Sequence, residues 1–169
     1  MNFNSIEFLI FFPVVCLCYY IIPHKIRYIF WLFCSYFFYM CWNPEYAILL
    51  FISTLITWLS GLLLEKMGQI TKERKKQILR KACVLVSFVS NLGILFFFKY
   101  YHYAESILSK ISAVTGMGIQ IPAIDVILPV GISFYTFQAL SYTMDVYRGE
   151  IYAEKNILKY ALFVSFFPQ

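Results

Sequence analysis

The sequence predicts an all-α, polytopic membrane protein, and three observations predict it. The chain of 169 residues is 61% hydrophobic, 21% aromatic and only 14% charged, and its mean hydropathy of +0.70 lies outside the usual range of soluble domains. Its apolar residues fall into runs near membrane-helix length, separated by short polar turns. Its cations are clustered: seven of the fourteen Lys and Arg lie in the window 66–81, between two apolar runs, as in a cytoplasmic loop. That placement argues against nucleic acid as a partner, which a net charge of +5 could otherwise suggest.

Residues 8–23, FLIFFPVVCLCYYIIP, form the first apolar segment; Pro13 is tolerable there because neighbouring helices can satisfy the carbonyl it frees. Glu7 precedes it and no cation occurs before Lys25, so the segment lacks the basic flank of a cleavable signal and is expected to be retained. A basic turn with His24, Lys25 and Arg27 leads into a second span, 28–44, whose Tyr39 and Trp42 suit a membrane interface. Residues 46–64 give the clearest span, uncharged throughout and bounded by Glu45 and Glu65.

The basic loop 65–81 follows, and part of it could lie on the bilayer surface through Ile70, Ile78 and Leu79. A fourth span, 82–98, carries Ser87, Ser90, Asn91 and Gly93, small or polar residues that favour close helix packing over lipid exposure. Beyond Lys99 the pattern loosens into an amphipathic helix with Ile107, Leu108, Ile111 and Val114 on one side, ending at Gly116 and Gly118. A polar motif helix is expected over 126–149, and a further apolar run begins at 157. This makes about five to six membrane segments in a single membrane domain, 1–169.

The positive-inside rule orients this layout. With the basic loop in the cytoplasm, the N-terminus lies outside, 24–27 inside, 43–45 and 99–125 outside, and 145–159 inside. Twelve of the fourteen cations are then cytoplasmic, with Lys99 and Lys110 as the exceptions. The five cysteines, Cys16, Cys18, Cys34, Cys41 and Cys83, sit in apolar runs without CxxC or histidine spacing and read as small hydrophobes, so no metal site is expected.

The motif segment is the unusual one. Residues 126–144 would form a helix about 28 Å long, close to the hydrocarbon thickness, yet they carry Ser133, Tyr135, Thr136, Gln138, Ser141, Tyr142 and Thr143. At about 100° per residue, Gly131, Phe134, Tyr135, Gln138, Ser141, Tyr142 and Asp145 share one stripe. Ile132, Ala139, Leu140 and Met144 lie opposite. Such a stripe suits either a helix interface with interhelical hydrogen bonds or the wall of a substrate passage. At its end Asp145 and Arg148, three residues apart, are placed to form an ion pair.

The run LPVGISFYTFQALSYTMDVYRGEI, followed by FVSFFPQ at the end of the chain, resembles the membrane-bound O-acyltransferases. The likeness is closest to the bacterial branch containing alginate O-acetyltransferases and the teichoic acid D-alanyl transfer proteins. It extends more loosely to FLIFFPVV, CSYFFYMCWNP and ILFFFKYY. The resemblance implies the N-terminal part of a longer membrane enzyme. That enzyme would take an acyl group, acetyl in the alginate case, from a cytoplasmic thioester donor, acyl-CoA or an acyl carrier, to hydroxyls of an extracellular polysaccharide or cell-wall polymer. It also implies that the family's essential histidine lies in a later helix, so His24 and His102 are read as interfacial residues. The partners implied are the bilayer, the acceptor polymer and an acyl carrier or other acetylation proteins, with no bound cofactor.

On this reading no catalytic residue is expected in the chain. Tyr135, Gln138, Ser141 and Tyr142 are the candidates for lining a passage. Lys72, Arg74, Lys75 and Lys76 are candidates for docking the donor, against a plainer role in setting topology on anionic lipid. The rival readings are a solute transporter using the same polar stripe, or a catalytically inactive membrane component that keeps only the packing surface.

Overall fold

The computed structural model describes residues 6–41, 44–68, 73–115 and 131–167. Six helices appear there in the order α1 (Ile6–Ile21), α2 (Arg27–Met40), α3 (Pro44–Gly68), α4 (Glu73–Thr115), α5 (Ile132–Arg148) and α6 (Ile157–Ser165), with no strand among the described residues. Two stretches are long and apolar enough to cross a bilayer, Ala47–Gly68 and Glu73–Tyr101. The other helices have 16, 14, 17 and 9 residues. At 1.5 Å per residue the longest of these reaches only about 26 Å.

Two boundaries differ from the sequence reading. Most of the expected loop 65–81 is helical: Glu65–Gly68 completes α3, and Glu73 onward forms the opening turns of α4, leaving only 69–72 outside the described residues. The supposed separate helix beyond Lys99 continues the fourth span, so α4 runs for 43 residues. The physical reason is that a change from charged to apolar and back alters the surroundings of a helix without interrupting its backbone. Gly93 alone is a weak breaker against so long a run of helix-compatible residues. Of the expected motif helix 126–149, the structure describes α5 from Ile132 to Arg148, and 126–130 lie outside the described residues.

Glycine closes both ends of α5. Gly131 enters it at φ 77° and Gly149 leaves it at φ 80°, left-handed angles that other residues adopt at a cost. At the exit, Glu150 N–H donates to Asp145 O at 3.0 Å and Gly149 N–H to Val146 O at 3.2 Å, the Schellman pair that satisfies carbonyls a helix end would leave open. Asn156 then caps α6, its side-chain oxygen accepting from Leu158 N–H at 2.9 Å.

Helix α3 is the centre of the bundle and packs on α2, α4, α5 and α6. Its inward positions Leu50, Thr54, Thr57, Gly61 and Leu64 recur at helical spacing; the four that carry side chains are buried, and Gly61 is met by Tyr142 of α5. Its hydroxyls close a polar core within apolar surroundings. Tyr160 of α6 donates to Thr57 Oγ1 at 2.7 Å, and Thr57 donates back to Ser53 O at 2.9 Å. Ser53 Oγ donates to Asn91 Oδ1 of α4 at 2.5 Å, and the Asn91 amide donates to Ser87 O at 2.9 Å.

Of the four packing residues expected on the fourth span, Ser87 and Asn91 are buried, Ser90 is half-buried and Gly93 is exposed with open space around it. Asn91→Leu is expected to cost about 1 kcal/mol, near the size of interhelical hydrogen bonds measured in bilayers. Reversible unfolding in mixed micelles would check it, with wild-type stability as the contrary result.

A second, aromatic core joins α1, α2 and the end of the chain. Val15, Cys34, Phe38 and Phe167 are buried together, flanked by Phe8, Phe11, Phe30 and Trp31. The five cysteines are free thiols: Cys34 is buried, Cys41 exposed and the other three half-buried.

Candidate functional site

Helix α5 divides its polar groups between two surroundings. Ile132, Tyr135, Thr136, Ala139, Leu140, Tyr142, Thr143 and Val146 are buried, while Phe134, Phe137 and Ser141 are exposed and Gln138 and Asp145 are half-buried. The side carrying Ile132, Ala139 and Leu140, expected to be the apolar back of the helix, is therefore packed against the bundle. Part of the polar stripe is what faces outward.

That outward part lines a groove of about 430 Å³ between α5 and α6, formed by Phe134, Phe137, Gln138, Ser141, Tyr142, Asp145, Ile151 and Phe163. Three of the four candidate passage residues, Gln138, Ser141 and Tyr142, thus meet in one concavity. Gln138 spans it: its amide nitrogen donates to Phe163 O of α6 at 2.9 Å, which fixes the amide orientation. Its Oε1 is left buried with no hydrogen-bond partner among the described residues. An unpaired buried acceptor costs about 1–3 kcal/mol.

Tyr135 lies apart from the groove. It is 4% exposed, in the main core with Leu50, Leu64 and Leu95, and its hydroxyl has no hydrogen-bond partner among the described residues. Tyr142 is largely structural: its ring covers Gly61 of α3, lies tilted against Tyr160 at 4.4 Å between centroids, and its hydroxyl accepts from Glu154 N–H at 2.8 Å.

The expected Asp145–Arg148 pair is replaced. Arg148 Nη1 sits 3.9 Å from Glu150 Oε1, because the left-handed Gly149 turns the chain back and brings Glu150 beside it. Asp145 keeps its carboxylate on the groove wall.

The connection between α5 and α6 is strapped onto α3. Glu65 accepts from Ala153 N–H at 3.1 Å, and Trp58 donates its indole N–H to Glu154 O at 2.8 Å. On α4, Arg80 donates to Tyr147 O and lies over the Tyr147 ring at 5.1 Å. The ends carrying the 65–81 and 145–159 charges therefore share one side of the bundle. Among the other basic candidates, Lys76 pairs with Glu73 at 3.3 Å, Arg74 and Lys75 are exposed, and Lys72 lies outside the described residues. His24 is exposed and within 3.2 Å of the Arg27 guanidinium, whereas the His102 side chain lies outside the described residues.

Sequence reasoning missed the pairing of Gly61 with Tyr142 and the clasp of Trp58 and Glu65 on Glu154 and Ala153. A lone glycine within a leucine-rich span was the one available signal.

The chain is similar over 99% of its length to the "Probable alginate O-acetylase AlgI" of Pseudomonas aeruginosa, at 34% identity, and to that of Pseudomonas putida, at 36%. A more distant likeness, 28% identical over 80% of the chain, is to the "Peptidoglycan O-acetyltransferase" of Helicobacter pylori. The chain spans 31%, 33% and 28% of these relatives, in that order, about a third of their length. No protein-family model and no solved structure matches it.

Proposed function

We propose, on the premise that this chain is a homologue of the membrane-bound O-acyltransferase type, that it is part of a membrane enzyme passing an acetyl group to hydroxyls of an extracellular polysaccharide or cell-wall polymer. The observation that carries this is similarity along nearly the whole chain to relatives named for O-acetylation of two different polymers. In such a transfer the acceptor oxygen attacks the thioester carbonyl, the thiolate leaves, and the hydroxyl proton passes to a base. A thioester donor in the cytoplasm and an acceptor outside require a protected route through the bilayer.

The α5–α6 groove is the proposed wall of that route. It combines a membrane-helix setting with the polar side chains of Gln138, Ser141 and Asp145. Gln138→Leu and Ser141→Leu in the full-length protein are expected to lower polymer acetylation to about a tenth, the loss of roughly one substrate hydrogen bond. Protein abundance should stay near normal. Normal acetylation in both variants would remove the groove from the reaction.

The cytoplasmic donor, the inner-membrane setting and the outward N-terminus belong to this same proposal. They are supported by the charge bias and by the shared end of the 65–81 and 145–159 segments. Arg74 and Lys75 are proposed as the first contact for an acidic carrier or a phosphate-bearing donor, being exposed and free of the ion pair that occupies Lys76.

A further inference from the structure

Helix α6 stands between two grooves. Phe163 belongs to the one it forms with α5, whereas Ile157, Leu158 and Ala161 line a second, of about 560 Å³, against Phe51 of α3 and a stripe of α2 from Ile29 to Tyr36. This second groove is apolar throughout, and the Tyr36 hydroxyl is buried away from it. Helices α2 and α6 run the same way along it: Ile29 and Ile157, near their starts, share the groove, and Phe167 N–H, just past the end of α6, reaches Ser35 Oγ of α2. Both helix starts therefore lie at one end of the groove.

That end is basic. Lys25, exposed in the turn that enters α2, is four residues before Ile29, and Arg27 is two residues before it. Arg27 Nε donates to Ile22 O at 2.8 Å, and its guanidinium lies 4.6 Å over the Tyr19 ring with Nη1 3.1 Å from the His24 ring, so the charge is held in place. Neither cation pairs with a carboxylate among the described residues. At the start of α6 Lys155 is exposed, and the neighbouring Glu154 carboxylate already accepts from Asn156 N–H at 2.9 Å. Two kinds of occupant suit an apolar groove in a membrane protein, a further helix or a lipid chain. Helices α2, α3 and α6 pack on one another in all three pairings, which leaves a crevice at their seam. A helix about 10 Å across, laid along the roughly 10 Å from Ile29 to Tyr36, would need about 800 Å³, more than the groove holds. An acyl chain is thinner and bends to follow the walls, making the dispersion contacts that a void forfeits. Leaving the bilayer core for the groove brings it no hydrophobic gain. Selection among lipids therefore falls to the headgroup, and cations at the mouth favour an anionic one.

We propose that the groove between α2, α3 and α6 holds one acyl chain of an anionic phospholipid, whose headgroup phosphate sits on Lys25 and Arg27. The inference needs only the membrane setting and does not rest on the transferase reading. At about 100° per residue, Ile157, Leu158 and Ala161 lie on the face of α6 opposite Phe163, so the bound chain braces from behind the helix that forms one wall of the α5–α6 groove.

The test places the photoreactive amino acid benzoylphenylalanine at Phe33, 71% exposed on the groove wall, in the full-length protein reconstituted into vesicles of phosphatidylglycerol and phosphatidylcholine in equal amounts. Mass spectrometry of the photoadducts is expected to show phosphatidylglycerol, joined through an acyl chain, in about tenfold excess over phosphatidylcholine. Lys25→Gln should lower that excess about fivefold, the share of one cation near a membrane surface, and Lys25→Arg should keep it. Leu158→Trp narrows the groove and leaves the cations in place, and it should lower the yield of lipid adducts about threefold. Equal amounts of the two lipids, or an excess indifferent to Lys25→Gln, would overturn the headgroup site. An undiminished yield in Leu158→Trp would put the lipid on the outer surface and overturn the groove. Adducts to the protein's own chain in place of lipid would give the groove to another part of the polypeptide and overturn the proposal as a whole.

Discussion

Tyr142→Ala is expected to lower stability by about 3 kcal/mol, combining a cavity in the α3–α5–α6 junction with the loss of the acceptor for Glu154 N–H. Tyr142→Phe, which keeps the ring on Gly61 and Tyr160 and loses only the hydroxyl bond, should cost about 1 kcal/mol. Gly61→Leu attacks the same contact from the other helix. A Cβ there would already be 2.9 Å from Tyr142 Cε1, so a larger side chain must push the ring away, at about 1–3 kcal/mol. Combining Gly61→Leu with Tyr142→Ala should recover part of the loss, giving a coupling of about 1 kcal/mol or more in a double-mutant cycle. Unfolding in mixed micelles measures all four proteins. Additive costs would show that the two residues do not touch. A full-stability Tyr142→Ala protein with impaired acetylation would return Tyr142 to the passage wall.

The contrast between Tyr142 and its neighbours on the stripe shows what could be read from sequence. A period of 3.6 placed Gln138, Ser141, Tyr142 and Asp145 on one side of a helix, and the groove contains all four. Periodicity assigns a face and not a partner, however. Tyr135 and Tyr142 fall on the same stripe yet are drawn into the bundle, because α3 offers Gly61 to one and the Leu50–Leu64 core closes over the other. Those partners are about eighty residues away in the chain, and no local pattern encodes them. Arg148 illustrates the same limit at short range: the i, i+3 rule favoured Asp145, but the backbone turn at Gly149 supplied Glu150.

Helix identity was legible in all six segments, and helix extent was not. The third span was bounded by Glu45 and Glu65, and the helix occupies that stretch plus one further turn, to Gly68, at its end. On α4 the same reliance on charge as a boundary cut one helix into three parts. Charge marks where a helix leaves the bilayer, while capping groups and breakers mark where its hydrogen-bond ladder stops. Gly149 and Asn156 are such groups, and the ends they define, Arg148 and Ile157, agree closely with the sequence.

Phe167→Ala is expected to be the most damaging change outside the α3 core, at about 2 kcal/mol. Phe167 is 1% exposed and has aromatic neighbours on two helices: Phe8 and Phe11 of α1, and Trp31 and Phe38 of α2, with ring centroids 5.5 to 6.5 Å away. Its N–H also reaches Ser35 Oγ at 3.4 Å. In water, removing such a ring costs 3–5 kcal/mol, but a large share of that is transfer out of water, and a bilayer is as apolar as the site it would leave. What remains is the unfilled cavity and the lost ring contacts. Phe166→Ala, half-buried and against Trp31, should cost less than half as much. The consequence reaches the α5–α6 groove because Phe167 anchors the end of α6, and α6 carries Phe163 of the groove wall. With the native cysteines replaced and Ser141→Cys as a reporter on the groove wall, faster reaction with a thiol reagent in a Phe167→Ala background would show the helix loosening from α5; an unchanged rate with lowered stability would confine the effect to α1 and α2.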